Sequence, residues 1–248
     1  MAINSNLKLP IFQIESFGAA DGPGLRLVIF AQGCLYRCVY CHNPESWSCN
    51  KHVETITIAE ILKKYNHSIE FYRNGGITIS GGDPLLHLEF IKALAKVCYE
   101  KKISLALDTA GVNFSAKTQK DYLEICKYQP LWLVDIKQIN KQKHKALKGV
   151  EEQKEIKLIE FLEKNKQRYW LRQVILPGWT DDPKDLINLG KFVSKLEYIE
   201  NFQVLPFHQM AKNKYEKLNI NYPLSKIKSA TQEDIDRAKK YIEQGYNS

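Results

Sequence analysis

Six short apolar runs of strand character, with amphipathic stretches between them, constrain the fold of this chain more than any other feature. The runs are Leu25–Phe30, Ile77–Ser80, Ser104–Asp108, Trp132–Ile136, Tyr169–Ile175 and Phe202–Pro206. Thr57-Ile58-Ala59-Glu60 is a capping-box signal that opens a helix toward Tyr72. Leu85–Tyr99, Lys117–Lys127 and Glu151–Asn165 carry apolar residues at helical spacing. Asp182 followed by Pro183 starts a helix to about Lys195, and 231–244 reads as a last helix. Strand and helix in alternation predict an α/β chain of parallel strands with right-handed crossovers. The runs are almost wholly apolar, as buried parallel strands are. Two architectures fit, an open doubly wound sheet and a full or partial β/α barrel, and both place function at the carboxyl ends of the strands. At 248 residues a single domain over 1–248 is expected.

Each strand end carries a polar or glycine-rich feature. Cys34, Cys38 and Cys41, spaced C-x3-C-x2-C, follow the first strand. Ser80-Gly81-Gly82-Asp83-Pro84 follows the second and Asp108-Thr109-Ala110-Gly111 the third. The fourth ends in Asp135-Ile136-Lys137, the fifth carries Arg172, and the sixth leads into His208. Taken singly these have plain readings: a tight turn for the glycines, a helix cap for Asp108, a surface lysine, a loop histidine. Three thiolates leave one ligand position open on an iron–sulfur cubane, which usually takes four cysteines. A zinc site with His42 or Cys49 as fourth ligand is the alternative, although zinc sites more often use two separated cysteine pairs. A disulfide framework does not fit the clustered spacing.

Cys98 and Cys126 lie on apolar-periodic stretches and read as buried core thiols. No apolar run approaches a membrane span and no processing signal opens the chain, so a cytoplasmic protein with reduced thiols is expected. The net charge of +8 comes mostly from lysines spread over helical segments. That pattern suits solvated helix faces, or encounter with an acidic protein or phosphate-bearing substrate, better than nucleic acid.

The wider pattern resembles the glycyl-radical enzyme activases of the radical S-adenosylmethionine superfamily. The resemblance is carried by Ser16-Phe17-Gly18 through Asp21-Gly22-Pro23-Gly24 and by the cysteine run with His42-Asn43-Pro44-Glu45. It continues through Asp108-Thr109, Asp135-Ile136-Lys137-Gln138, Leu176-Pro177-Gly178-Trp179 and Leu205-Pro206-Phe207-His208. It spans about residues 12–218. It implies a partial (β/α)6 barrel, a [4Fe–4S] cluster on Cys34, Cys38 and Cys41, and S-adenosylmethionine chelated at the open iron. It further implies cofactor-binding roles for Tyr40, Gly81, Gly82, Asp108, Lys137 and His208. Asp21, His42 and Arg172 correspond to the family's substrate-side, catalytic residues. Asp108, Thr109 and Asp135 correspond to a corner that holds a monovalent cation, Na+ or K+. The implied reaction is reductive cleavage of the cofactor and abstraction of a glycine Cα hydrogen from a partner.

Other activases usually carry a ferredoxin-like insert after the first cysteines. Here only Cys49 lies between Cys41 and Ile77, which favours the branch acting on pyruvate formate-lyase. An activase of another glycyl radical enzyme and a zinc or iron–sulfur binding module are the alternatives. Flavodoxin or ferredoxin as electron donor, a monomeric state, and no nucleic-acid or membrane partner complete the expectation. The family's glycine-glycine-glutamate stretch reads Gly81-Gly82-Asp83 here.

Overall fold

A computed structural model describes residues 7–48, 53–150 and 152–248. Cys49, and the predicted helix start at Glu151, lie outside the described residues. The strands are β1 (Lys8–Gly18), β2 (Arg26–Ala31), β3 (Glu54–Thr57), β4 (Gly76–Gly81), β5 (Leu105–Thr109), β6 (Leu131–Ile136), β7 (Tyr169–Ile175) and β8 (Ile199–Pro206). They form one sheet in the order β3-β1-β2-β4-β5-β6-β7-β8. From β2 to β8 every neighbouring pair is parallel. These are the six strands expected from the apolar runs. β1 and β3 add an antiparallel edge. Sequence reading passed over β1 because only Leu9 and Ile11 are buried on it before it turns polar and exposed at Gln13, Glu15 and Ser16.

The helices are α1 (Ile58–His67), α2 (Leu88–Glu100), α3 (Gln119–Cys126), α4 (Lys141–Lys148), α5 (Lys154–Lys164), α6 (Pro183–Val193), α7 (Lys212–Lys217) and α8 (Gln232–Tyr246). Thr57 forms the predicted capping box with Glu60, but α1 stops at His67 and a 3-10 turn carries the chain to Tyr72. Asp182 caps α6 by accepting from the Lys184 and Asp185 amides. No helix among the described residues is long and apolar enough to cross a membrane.

The two faces of the sheet differ because strand side chains alternate. Leu27, Ile29, Ile77, Ile79, Leu105, Leu107, Trp132, Val134 and Leu171 point to the helices and build the main core with residues such as Phe90, Leu94, Tyr122, Leu158 and Leu189. Fully burying each such side chain stabilises by roughly 1.5–3 kcal/mol. Cys98 and Cys126 belong to this core. The residues that alternate with these line the other, inner face of the sheet. Ala106, Leu131 and Leu133 form a small apolar patch there with Trp170. Thr78, Ser80, Asp108, Asp135 and Arg172 continue that face with polar and charged groups toward the carboxyl ends.

Candidate active site

The cysteine loop leaves β2 through Gly33, whose φ of 104° suits glycine. Gly33 is held on both sides: its N–H donates to the Ser46 carbonyl at 2.7 Å and its carbonyl accepts from the Asp83 amide at 2.8 Å. The turn after β4 therefore presses on the cysteine loop. A Cβ on Gly82 would stand 2.0 Å from the Gly33 oxygen, and one on Gly81 2.4 Å from the Ala31 nitrogen. The glycine pair is thus required first by loop seating. On its far side the loop is strapped to α4, with the Arg37 amide donating to Lys148 O and the Val39 amide to Leu147 O.

Cys34, Cys38 and Cys41 meet in one apolar pocket with Tyr36, Leu86, Ala110, Val112 and Val150. Burial pushes the Cys34 thiol up to about 12 and the Cys41 thiol to about 11, and it raises Cys38 as well. The Tyr36 and Asn43 amides pull the first two down, and the ammonium groups of Lys137 and Lys148 pull on Cys38. Buried thiols become thiolates when a metal supplies the positive charge. His42 stands edge-on against His208 with ring centroids 4.1 Å apart. Among the described residues no three His, Cys, Asp or Glu side chains are grouped to hold a single metal ion. Three cysteines packed in one apolar cluster supply the thiolate donors that an iron–sulfur cluster takes, with one position left open.

Beside this pocket the inner face carries a charged array. Arg172 donates through Nε to Asp135 Oδ1 at 2.9 Å and through Nη2 to Asp108 Oδ1. Lys137 Nζ donates to Asp135 Oδ2 at 2.6 Å, and Ser80 Oγ to Asp108 Oδ2 at 2.6 Å. Burial works against the charge on Asp135, but Arg172 and Lys137 overcome it and hold the carboxyl at about 2. Burial also opposes the charge on Lys137, and Asp135 more than restores it. Lys137 joins the two halves of the site, since it pairs with Asp135, bears on Cys38 and lies 5.5 Å over the Tyr40 ring.

Asp21 borders the array. Burial, then Asp108, pushes its carboxyl up to about 6 against the pull of Arg172. Burial, then His208, lowers His42 to about 4, so the ring is neutral near pH 7. The Tyr40 hydroxyl and His208 Nδ1 are buried without hydrogen-bond partners, polar atoms available to a ligand. Thr109 faces away from Asp108 along β5. Its hydroxyl donates to Asp83 at 2.8 Å and accepts from the Gly111 amide at 2.9 Å. The Thr109 hydroxyl thus faces Asp83, while Arg172 bridges the carboxylates of Asp108 and Asp135.

Sequence reasoning missed Asp83 as an organiser. It is fully buried and accepts from Thr109 and from the Leu85 and Ala110 amides. Its place before Pro84, as a helix-start cap, was the available signal. Ser80, and the buried Lys148 behind Tyr36, were also missed.

Residues 20–156, more than half the chain, match the family model of the 4Fe-4S single cluster domain. The chain is 36% identical over 240 residues to the pyruvate formate-lyase-activating enzyme of Staphylococcus epidermidis, covering 95% of this chain and 96% of that protein. Its fold is similar to a radical SAM methyltransferase from Sphaerobacter thermophilus, with a TM-score of 0.67, 12% identity, and coverage of 96% of this chain and 75% of the other. It is also similar to Streptococcus suis SuiB, solved bound to S-adenosylmethionine, with a TM-score of 0.64, 17% identity, and coverage of 88% and 46%. An open parallel sheet with a charged inner face, a three-cysteine loop at its carboxyl end and a full-length relationship point the same way: the chain belongs to the pyruvate formate-lyase-activating enzymes of the radical S-adenosylmethionine superfamily.

Proposed function

We propose that this chain activates pyruvate formate-lyase by generating a glycyl radical on it. The observation that carries the reading is Lys137, which ties a three-thiol pocket to an ionic array on the inner face. Cys34, Cys38 and Cys41 would hold a [4Fe–4S] cluster. When bound, that cluster and S-adenosylmethionine supply one-electron cleavage of the sulfonium C–S bond, with methionine leaving and the alkyl radical taking a glycine Cα hydrogen.

The remaining work falls to the protein. Lys137 offers its ammonium to the cofactor's carboxylate, exchanging it for Asp135. Asp108 accepts from the cofactor's ammonium, and the Gly81 and Gly82 backbone meets it without a Cβ in the way. Tyr40 and His208 bring unpartnered polar atoms to the adenosyl part. Asp21, Arg172 and the neutral His42 position the glycine, and the inner face of the sheet excludes water from a reactive site. A monovalent cation, Na+ or K+, near Asp108, Thr109 and Asp135 belongs to the same proposal; it would compete with Arg172 for both carboxylates. So do a flavodoxin or ferredoxin donor, a monomeric state and a cytoplasmic setting.

The test is electron paramagnetic resonance under strict anaerobiosis with pyruvate formate-lyase, S-adenosylmethionine and a reductant. A glycyl-radical doublet that needs every component is expected. A reduced-cluster signal that responds to the cofactor, with no glycyl radical on this partner, overturns the assignment of substrate.

A further inference from the structure

Behind the cysteine loop lies a second ionic group that the proposed chemistry does not use. His144 and Lys148 sit one turn apart on α4, and Glu155 lies on the first turn of α5. All three side chains are fully buried. Glu155 accepts from His144 Nε2 at 2.8 Å and from Lys148 Nζ at 2.8 Å. The Lys148 ammonium lies 3.7 Å over the ring of Tyr36, which stands between Cys34 and Cys38. The backbone of the same helix turn accepts from the Arg37 and Val39 amides on either side of Cys38.

Stability does not account for this group. A buried ion pair is often matched or bettered by apolar residues of similar volume, because removing two charges from water cancels most of their attraction. The pair is also oriented. The ammonium end lies over the ring of Tyr36, which packs directly against the three cysteines. Lys137 bears on Cys38, but it is already ion-paired on the inner face where the cofactor would bind. Lys148 is fully buried behind the cysteine loop, where burial draws its pKa down and the Glu155 carboxylate at 2.8 Å works to keep the ammonium charged.

We propose that Lys148, held by Glu155 and His144, is a positioning residue that sets how readily a cluster on Cys34, Cys38 and Cys41 accepts an electron. A fixed positive charge favours the reduced, more negative state, and nearby charge is among the determinants of cluster potential. The backbone straps fix the distance between that charge and the thiol pocket. The inference rests on reading the three cysteines as cluster ligands.

The test is potentiometric titration of the reconstituted full-length protein, followed by the reduced-cluster resonance and by visible absorption, without S-adenosylmethionine. Lys148→Met should lower the ratio of reduced to oxidised cluster about tenfold at a fixed poise, a midpoint about 59 mV more negative for a one-electron couple. Glu155→Gln removes the opposing charge and should move the midpoint the other way. Opposite signs separate electrostatic tuning from a packing defect, which has no reason to reverse. If Lys148→Met does not take up a cluster, Glu155→Gln decides alone: a more positive midpoint supports the proposal, an unmoved or more negative one overturns it. Loaded variants that stay within threefold of wild type, or shift in the same direction, also overturn it. A wild-type chain that takes up no iron–sulfur cluster overturns the functional reading and this inference together.

Discussion

Two buried arginines stand on the same inner face and do opposite things. Arg26 opens β2 at the amino end of the sheet. Its guanidinium donates to Thr78 Oγ1 at 2.6 Å and to the carbonyls of Pro23, Ile77 and Ser104. Arg172 lies farther along β7 and donates to two carboxylates, Asp108 and Asp135. Burial lowers Arg26 to about 10; burial also acts on Arg172, but the two carboxylates reverse it and raise the group above its ordinary value. Neutral acceptors that belong to the backbone cannot be exchanged for a ligand, so Arg26 fixes the closed end. Carboxylates can trade one cation for another, so the array around Arg172 can open to a zwitterionic cofactor. The type of acceptor, more than burial of the cation, separates scaffold from site.

The largest effect should come from breaking the scaffold arginine. Arg26→Met would take the guanidinium away from Thr78 Oγ1 and from the Pro23, Ile77 and Ser104 carbonyls, the last of which keeps the Ile77 amide, at roughly 1–3 kcal/mol for each group left unsatisfied. A loss of about 3 kcal/mol in denaturant unfolding is expected, while the protein that remains folded binds S-adenosylmethionine as before. Unchanged stability would mean that Arg26 is replaceable.

Arg172→Met tests the other member of the pair. Asp108 and Asp135 would face each other with Lys137 alone to balance them. Glycyl-radical formation should fall about a hundredfold, close to 2.7 kcal/mol of barrier, with cluster content retained. If the rate held while the melting temperature collapsed, Arg172 would belong with Arg26 as scaffold.

The sequence disclosed the parallel core and most of the site because both rest on local signals. Six apolar runs with helices between them leave few topologies, and residues just past parallel strands meet at one end of the sheet. Asp108, Asp135, Lys137 and Arg172 were singled out on that rule. Their pairing was not legible, because nothing in the spacing says that Arg172 spans two strands to join both carboxylates. Thr109 shows the same limit: adjacent to Asp108 in sequence, it points to the opposite face and serves Asp83. β1 escaped because a strand whose apolar residues alternate with exposed polar ones lacks an apolar run, and Lys148 escaped because a lysine-rich helix reads as a solvated one.

Lys137→Ala carries a smaller expected effect. It removes one of two cations on Asp135 and leaves the cysteine pocket in place. Titration calorimetry of the cluster-loaded protein should show S-adenosylmethionine bound about tenfold more weakly, near 1.4 kcal/mol, with iron content unchanged. Equal affinity would remove Lys137 from the cofactor site. Loss of iron would instead make it a guardian of the cysteine loop, in line with its influence on Cys38.

The smallest effect gives the sharpest reading of the two arginines, because Asp21 senses both. Burial and Asp108 raise its carboxyl to about 6, while Arg172 and, more weakly, Arg26 pull it down. A carboxyl whose folded pKa lies above its unfolded value binds a proton more tightly when folded. Its stabilising contribution is full below about 3.8, the ordinary aspartate value, and is lost as pH rises through about 6. Asp21→Asn holds the side chain neutral, so the variant should gain on wild type between pH 4 and 7. About 1 kcal/mol is expected once partial exposure is allowed for. The crossover reports the field at Asp21. In an Arg172→Met background it should move to higher pH, and in an Arg26→Met background it should move less, because Arg172 acts on Asp21 more strongly than Arg26 does. Equal displacement in the two backgrounds would make the arginines electrostatically equivalent at the site, leaving their acceptors as the only difference between them.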